Sequence, residues 1–186
     1  MKKSKANTEQ AQRTAARATR RKTEASAEKV IELVPALLNL KSILVPIDFS
    51  ETSKKALHYA VRFAEQFGAK VTVLTVVEPV ATPDFAYHPL VIDPEKARQA
   101  AKTRLETLCT KMRIPRALLG RTLAQYGSPH AEICDTARAL KVDLIVLTTH
   151  GYTGLKHVLL GSTAERVIRH APCPVLTVRE KEHEFV

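Results

Sequence analysis

The chain has 186 residues, 45% of them apolar and 26% charged, with six Gly, three Cys and a formal charge of +10. That apolar fraction excludes wholesale disorder, and the Gly and Cys counts exclude collagen-like and disulfide-scaffold chains. No run approaches the roughly 18 apolar residues of a membrane span, so the composition allows one domain of ordinary core size with residues to spare.

The charge is concentrated at the start. Residues 1–29 hold nine bases (Lys2, Lys3, Lys5, Arg13, Arg17, Arg20, Arg21, Lys22, Lys29) and three acids (Glu9, Glu24, Glu28), a net of +6 that leaves +4 for everything after. Without an aromatic or branched aliphatic residue before Val30, this tail cannot bury enough apolar surface to offset its ordering entropy. It is expected to be disordered or nascently helical, and to touch polyanions weakly. Its composition is shared by organelle transit peptides. A secretory signal fits badly, because Glu32, Pro35 and Asn39 interrupt the apolar stretch and no small-residue cleavage pattern follows. Residues 30–40 carry Val30, Ile31, Leu33, Val34, Leu37, Leu38 and Leu40 at spacings that suit a short helix in need of a partner surface.

From Lys41 the texture becomes alternating strand and helix, and the main domain is assigned to 41–186. Ser42–Ile47 reads as a strand buried on both faces. Asp48 and Ser50 are candidate N-caps for a helix reaching Phe67, with Ala56, Leu57, Ala60, Val61 and Ala64 inward and Gly68 as its stop. Lys70–Val77 is a second strand, followed by a Pro-containing connection over Glu78–Asp93. A helix spans Pro94 to about Met112, with Ala97, Ala101, Leu105 and Leu108 on one face. Arg121–Tyr126 is a third, weaker strand. Gly127 and Ser128 open a helix that has Pro129 at its first position and ends at Leu140. Val142–Thr148 is the fourth strand, Ser162–His170 the fourth helix, and Pro174–Val178 the fifth strand. The alternation predicts an α/β fold, a doubly wound five-stranded parallel sheet with helices on both faces.

Ligands of such sheets bind beyond the carboxyl ends of the strands, where strand order reverses. The residues to watch are therefore Asp48–Ser50, Val76–Glu78, Gly127–Ser128 and Thr148–Gly154. Gly151 and Gly154 follow the fourth strand, and Gly161-Ser162-Thr163 opens the last helix with hydroxyl caps. Two amide-rich turns there could grip one anion, or could simply be tight turns and caps. A Gly-x4-Gly-Lys-Ser/Thr loop is absent, as is a Gly-x-Gly-x-x-Gly after the first strand, where Pro46-Ile47-Asp48-Phe49-Ser50 stands. The paired acids of a receiver domain are missing too.

Three stretches carry a resemblance: Ile43–Leu57 (ILVPIDFSETSKKAL), Val71–Pro79 (VTVLTVVEP) and Thr149–Arg179 (THGYTGLKHVLLGSTAERVIRHAPCPVLTVR). Over about Lys41–Arg179 the chain resembles the universal stress protein family, on the side of its ATP-binding subgroup. The resemblance implies a flavodoxin-like, or adenine-nucleotide α-hydrolase-like, sheet of strand order 3-2-1-4-5. It also implies a cytoplasmic homodimer formed through the last strand, Pro174–Val178. ATP-binding members share Gly-x2-Gly-x9-Gly-Ser/Thr, which falls here on Gly151, Tyr152–Leu160 and Gly161-Ser162, with Thr148 at the first Gly position.

By that resemblance Pro46, Ile47 and Asp48 would lie against adenine and ribose, and the backbone of Val76 would meet the adenine edge. Gly127 would let the ribose approach. His150, Gly151, Tyr152 and Thr153 would wrap the phosphates, with Ser162 and Thr163 donating from the helix start; Leu147, Thr148, Thr149 and Gly161 would belong to the same site, and Mg2+ would accompany ATP. Thr148 is the departure: a β-branched residue resists positive φ at a cost of about 1–3 kcal/mol if that conformation is required.

Asp48 is read as facing the ligand, since Ser50 can supply the cap. His150 suits a turn better than a general base, because no nucleophile with a supporting carboxylate is evident. Cys109, Cys134 and Cys173 lack ligand spacing and read as ordinary buried or half-buried thiols. The expectation is a stress-response protein that binds ATP, with slow or partner-dependent hydrolysis. The alternative is a dimeric interaction module of the same family whose site Thr148 has closed.

Overall fold

The computed structural model describes residues 39–79, 93–149 and 161–179. The tail over 1–29, all of the 30–40 segment except Asn39 and Leu40, most of the 78–93 connection, and His150, Gly151, Tyr152, Thr153 and Gly154 lie outside the described residues. The chain separates into two units between Asn39 and Leu40, and every element below belongs to Leu40–Val186.

In chain order the elements are β1 (Ser42–Pro46), α1 (Glu51–Phe67), β2 (Lys70–Val77), α2 (Pro94–Lys111), β3 (Leu119–Tyr126), α3 (Pro129–Leu140), β4 (Leu144–Thr148), α4 (Ser162–His170) and β5 (Val175–Val178). All strand pairs are parallel and the order is β3-β2-β1-β4-β5. Because successive side chains point to opposite faces, the apolar run of β1 feeds two cores at once. Ile43 and Val45 enter a cluster with Leu57 and Ala60 of α1 and Leu105 and Cys109 of α2. Leu44 enters the other, with Ile133 and Ala137 of α3 and Val167 of α4. The helices thus divide two and two between the faces, and the change of face falls where β1 meets β4. That junction is where a doubly wound sheet opens a crevice.

Local chemistry sets the ends of α1. Ser50 Oγ accepts from Ser53 N at 3.1 Å, and Gly68 takes φ 68° at the C-cap with its N–H on Ala64 O. Asp93 caps α2 by accepting from Glu95 N at 2.9 Å. The strands match the sequence expectation to within two residues at their limits, with β1 ending at Pro46 instead of Ile47 and β5 starting at Val175 instead of Pro174. β3 begins two residues early, at Leu119, beyond a register shift opposite Val71 and Thr72. β4 begins two residues late, because Val142 N closes α3 on Ala137 O before the strand can start. Among the described residues, no helix is long and apolar enough to cross a membrane.

Candidate functional site

At the carboxyl edge of β1, β2 and β4 lies a cavity of about 240 Å3, near the lower end of the sizes usual for small-molecule sites. β1 and the residue after it contribute Pro46 and Ile47, β2 gives Leu74 and Val76, and β4 gives Leu147 and Thr148. Ile133 of α3 and Ala164 and Val167 of α4 close the apolar side, while Asp48, Glu78, Thr149, Ser162 and Thr163 supply polar groups. One end of the site can therefore bury a flat apolar group and the other can hold something polar.

Ten of the residues predicted from sequence meet at this cavity: Pro46, Ile47, Asp48, Val76, Leu147, Thr148, Thr149, Gly161, Ser162 and Thr163. Gly127 is not in its lining. Its φ is 153°, a conformation that residues with side chains rarely adopt, so the turn into α3 favours glycine here by backbone geometry alone. His150, Gly151, Tyr152 and Thr153 lie outside the described residues. The sequence reading missed Ser53, Leu74, Pro129, Ile133, Ala164 and Val167, which also line the cavity. Periodicity could have supplied two of them, since Leu74 shares a strand face with Val76 and Ile133 lies one helical turn after Pro129.

Asp48 is exposed, and its Oδ1 accepts from Ser50 N at 3.0 Å and Ser50 Oγ at 2.6 Å. Ser50 is the N-cap and Asp48 aligns it. The turn between them places Phe49 at φ 68°.

The last helix departs from expectation. Its N-cap is Gly161, which has no side chain to cap with, and Ser162 and Thr163 are already inside the helix. Ser128, the N-cap of α3, makes no side-chain cap either; its Oγ lies 2.9 Å from His130 Nδ1. The first turns of these two helices border the cavity through Pro129 and through Ser162 and Thr163. A helix start carries partial positive charge, which suits an anion, although Pro129 itself has no N–H to donate. Gly161 N donates to Thr149 O at 2.6 Å, which ties the start of α4 to the end of β4.

Thr148 ends β4 in register with Val178. The described non-glycine residues with positive φ are Phe49, Arg113 and Lys141. Thr148 therefore carries no left-handed strain, and its effect on the site is confined to its side chain. Among the described residues no group of three or more His, Cys, Asp or Glu could hold a metal ion.

The model of the universal stress protein family matches residues 39–179. The chain belongs to that family. Similar relatives include the universal stress protein MJ0531 of Methanocaldococcus jannaschii, 36% identical over 149 residues, which are 77% of this chain and 85% of that protein. Among solved structures, the universal stress protein UspA of Lactobacillus plantarum superposes with a TM-score of 0.58 at 33% identity, covering 76% of this chain and 99% of that one. A universal stress protein of Archaeoglobus fulgidus, solved in complex with dAMP, has a TM-score of 0.52 over 75% of this chain and 98% of its own. At 23% identity that last likeness is one of fold. The strand order of these universal stress proteins is the one found here.

Proposed function

We propose that the protein binds an adenine nucleotide, ATP foremost, in the carboxyl-edge cavity, and that hydrolysis is slow or depends on a partner. One observation carries this reading: an apolar slot between β1, β2 and β4 is bordered by the starts of two helices whose N-cap residues make no side-chain cap. A base suits the slot, and phosphates suit the positive ends of α3 and α4. The related fold solved with dAMP adds support for a ligand of this class.

The rim also carries Asp48 and Glu78, which oppose a bare triphosphate. A divalent cation would offset that repulsion. With no three-ligand group among the described residues, Mg2+ would be held mainly by the phosphates and by one or two of these carboxylates, as Mg2+ usually is. No described side chain stands out as a catalytic base, so binding is proposed ahead of turnover.

We also propose that a homodimer forms through β5, an edge strand whose Val175, Leu176 and Thr177 are only half-buried. Exposed strand edges invite such pairing. Sedimentation should show a dimer for the native chain and a monomer for Thr177→Lys.

Titration calorimetry with Mg-ATP tests the main reading, with nucleotide release from denatured purified protein as a second readout. Heat of binding or released nucleotide is expected. Neither heat nor nucleotide would favour the interaction-module reading, in which Thr148 fills the site.

A further inference from the structure

The amino-terminal edge of the sheet, opposite the cavity, is built from the connections that enter the five strands. Six exposed bases lie there: Lys41, Lys70, Lys111, Arg113, Arg116 and Lys141. None of them makes an ion pair among the described residues. Arg138 and Arg169 are at the same edge but are paired with Asp135 and Glu165. Of the acids there, Asp143 accepts through Oδ2 from the backbone N–H groups of Lys41 and Ser42 at 2.8 and 2.9 Å, and Glu65, in the last turn of α1, pairs with Arg62.

Bases often gather at helix C-termini to complement the dipole. That accounts for Lys111 and Lys141, which end α2 and α3. It does not account for Lys41, Lys70, Arg113 and Arg116, which lie in or beside the strand-entering connections.

Strand order turns these scattered positions into a row. Lys111, Arg113 and Arg116 precede β3, Lys70 opens β2, Lys41 precedes β1 and Lys141 precedes β4, and these four strands are adjacent. At about 4.8 Å per strand the row spans roughly 15 Å. A stacked nucleic-acid strand, rising about 3.4 Å per nucleotide along its axis, presents four or five phosphates over the same axial length.

We infer that this edge is a docking surface for the phosphodiester backbone of a nucleic acid, independent of the nucleotide site. Phe67 is 41% exposed at the end of α1 and is the one large aromatic that the edge presents among the described residues. Base stacking is therefore slight, and binding is governed by the phosphates, with little sequence preference and a strong dependence on salt.

The test measures fluorescence anisotropy of a labelled single-stranded oligonucleotide of mixed sequence, with the full chain, across a salt series. Two triple variants neutralise separate parts of the row: Lys111→Gln/Arg113→Gln/Arg116→Gln, and Lys41→Gln/Lys70→Gln/Lys141→Gln. A control, Lys96→Gln/Arg98→Gln/Lys102→Gln, removes the same charge from the exposed face of α2.

Each edge triple is expected to weaken binding and to flatten the slope of log K against log salt by about 2, at about 0.7 for each phosphate no longer neutralised. The control should stay near the native slope. Having two edge triples separates the removal of charge from a folding defect in either one, and circular dichroism reports the fold. Edge triples indistinguishable from native or from the control would overturn the assignment. So would a native chain that binds no oligonucleotide at low salt. Loss of inorganic polyphosphate binding, with oligonucleotide binding intact, would also overturn it.

Discussion

Phe49 holds φ 68°, a conformation that costs a bulky residue about 1–2 kcal/mol. The surroundings compensate in three ways. Asp48 and Ser50 close the turn through their hydrogen bonds, Phe49 packs against the core under α1 and α2, and the Arg104 guanidinium lies 3.9 Å from the ring centroid. Because Phe49 follows Asp48 directly, this clamp also fixes a carboxylate of the cavity rim. Arg104→Ala should lower stability in urea by about 0.5–1 kcal/mol, the usual worth of such an interaction at an exposed site. It should also weaken Mg-ATP binding in calorimetry. Thr148 makes a second case. As a strand residue without left-handed strain, it should accept Gly at a stability cost of about 0.5–1 kcal/mol. The widened cavity should then bind ATP more tightly. If calorimetry shows weaker binding instead, the hydroxyl touches the ligand and is not an obstruction.

Among the elements, α4 shows both what the sequence revealed and what it hid. Its limits, Ser162–His170, were readable because Gly161 and two hydroxyl residues precede a helical spacing of Ala164 and Val167. The sequence could not tell which of these residues caps the helix. Capping depends on which residue takes extended dihedrals, and Gly161 does so, leaving Ser162 at the first helical position. Gly127 is a parallel case. Its place at a turn was legible, but its φ of 153°, which residues with side chains rarely adopt, belongs to the folded backbone. The centres of the strands were clear, since doubly buried runs such as Ile43–Val45 have no other good placement, but their ends were less legible than those of α3 and α4. Residues that reach the cavity from α4, Ala164 and Val167, became visible only once tertiary packing had turned them inward. The start of α4, with Gly161 as its N-cap, yields a test with opposite signs. Ser162→Asp puts a negative charge at the positive end of the dipole and should stabilise the fold by about 0.3–1 kcal/mol. The same charge should repel phosphate and weaken ATP binding by about tenfold or more, about 1.4 kcal/mol per factor of ten. Thermal unfolding and calorimetry on one preparation read both effects.

At the scale of the whole molecule, two apolar layers share one sheet, and each contains a buried thiol. Cys109 belongs to the layer of α1 and α2, Cys134 to that of α3 and α4, and the half-buried Cys173 packs against the second. Burial is the main cause that raises all three thiols above their ordinary value of 9.0. The folded chain therefore keeps these protons at a pH where the unfolded chain has begun to release them. With more protons bound when folded, stability must fall as pH rises. The decline starts near 9.0, where the unfolded thiols titrate, and continues up to the raised folded values; below that window these groups contribute no pH dependence. Because both layers are anchored on β1, a thiolate forming in either one loosens the sheet they share, and unfolding in urea should stay a single transition. Tyr and Lys titrate in the same range, so the informative quantity is the difference between the native chain and Cys109→Ala/Cys134→Ala. The double variant should be less stable at neutral pH, since it loses buried volume in both layers. It should nevertheless lose less stability between about pH 8 and about pH 10 than the native chain does. Equal slopes for the two proteins would mean that the thiols ionise as freely in the folded layers as in water.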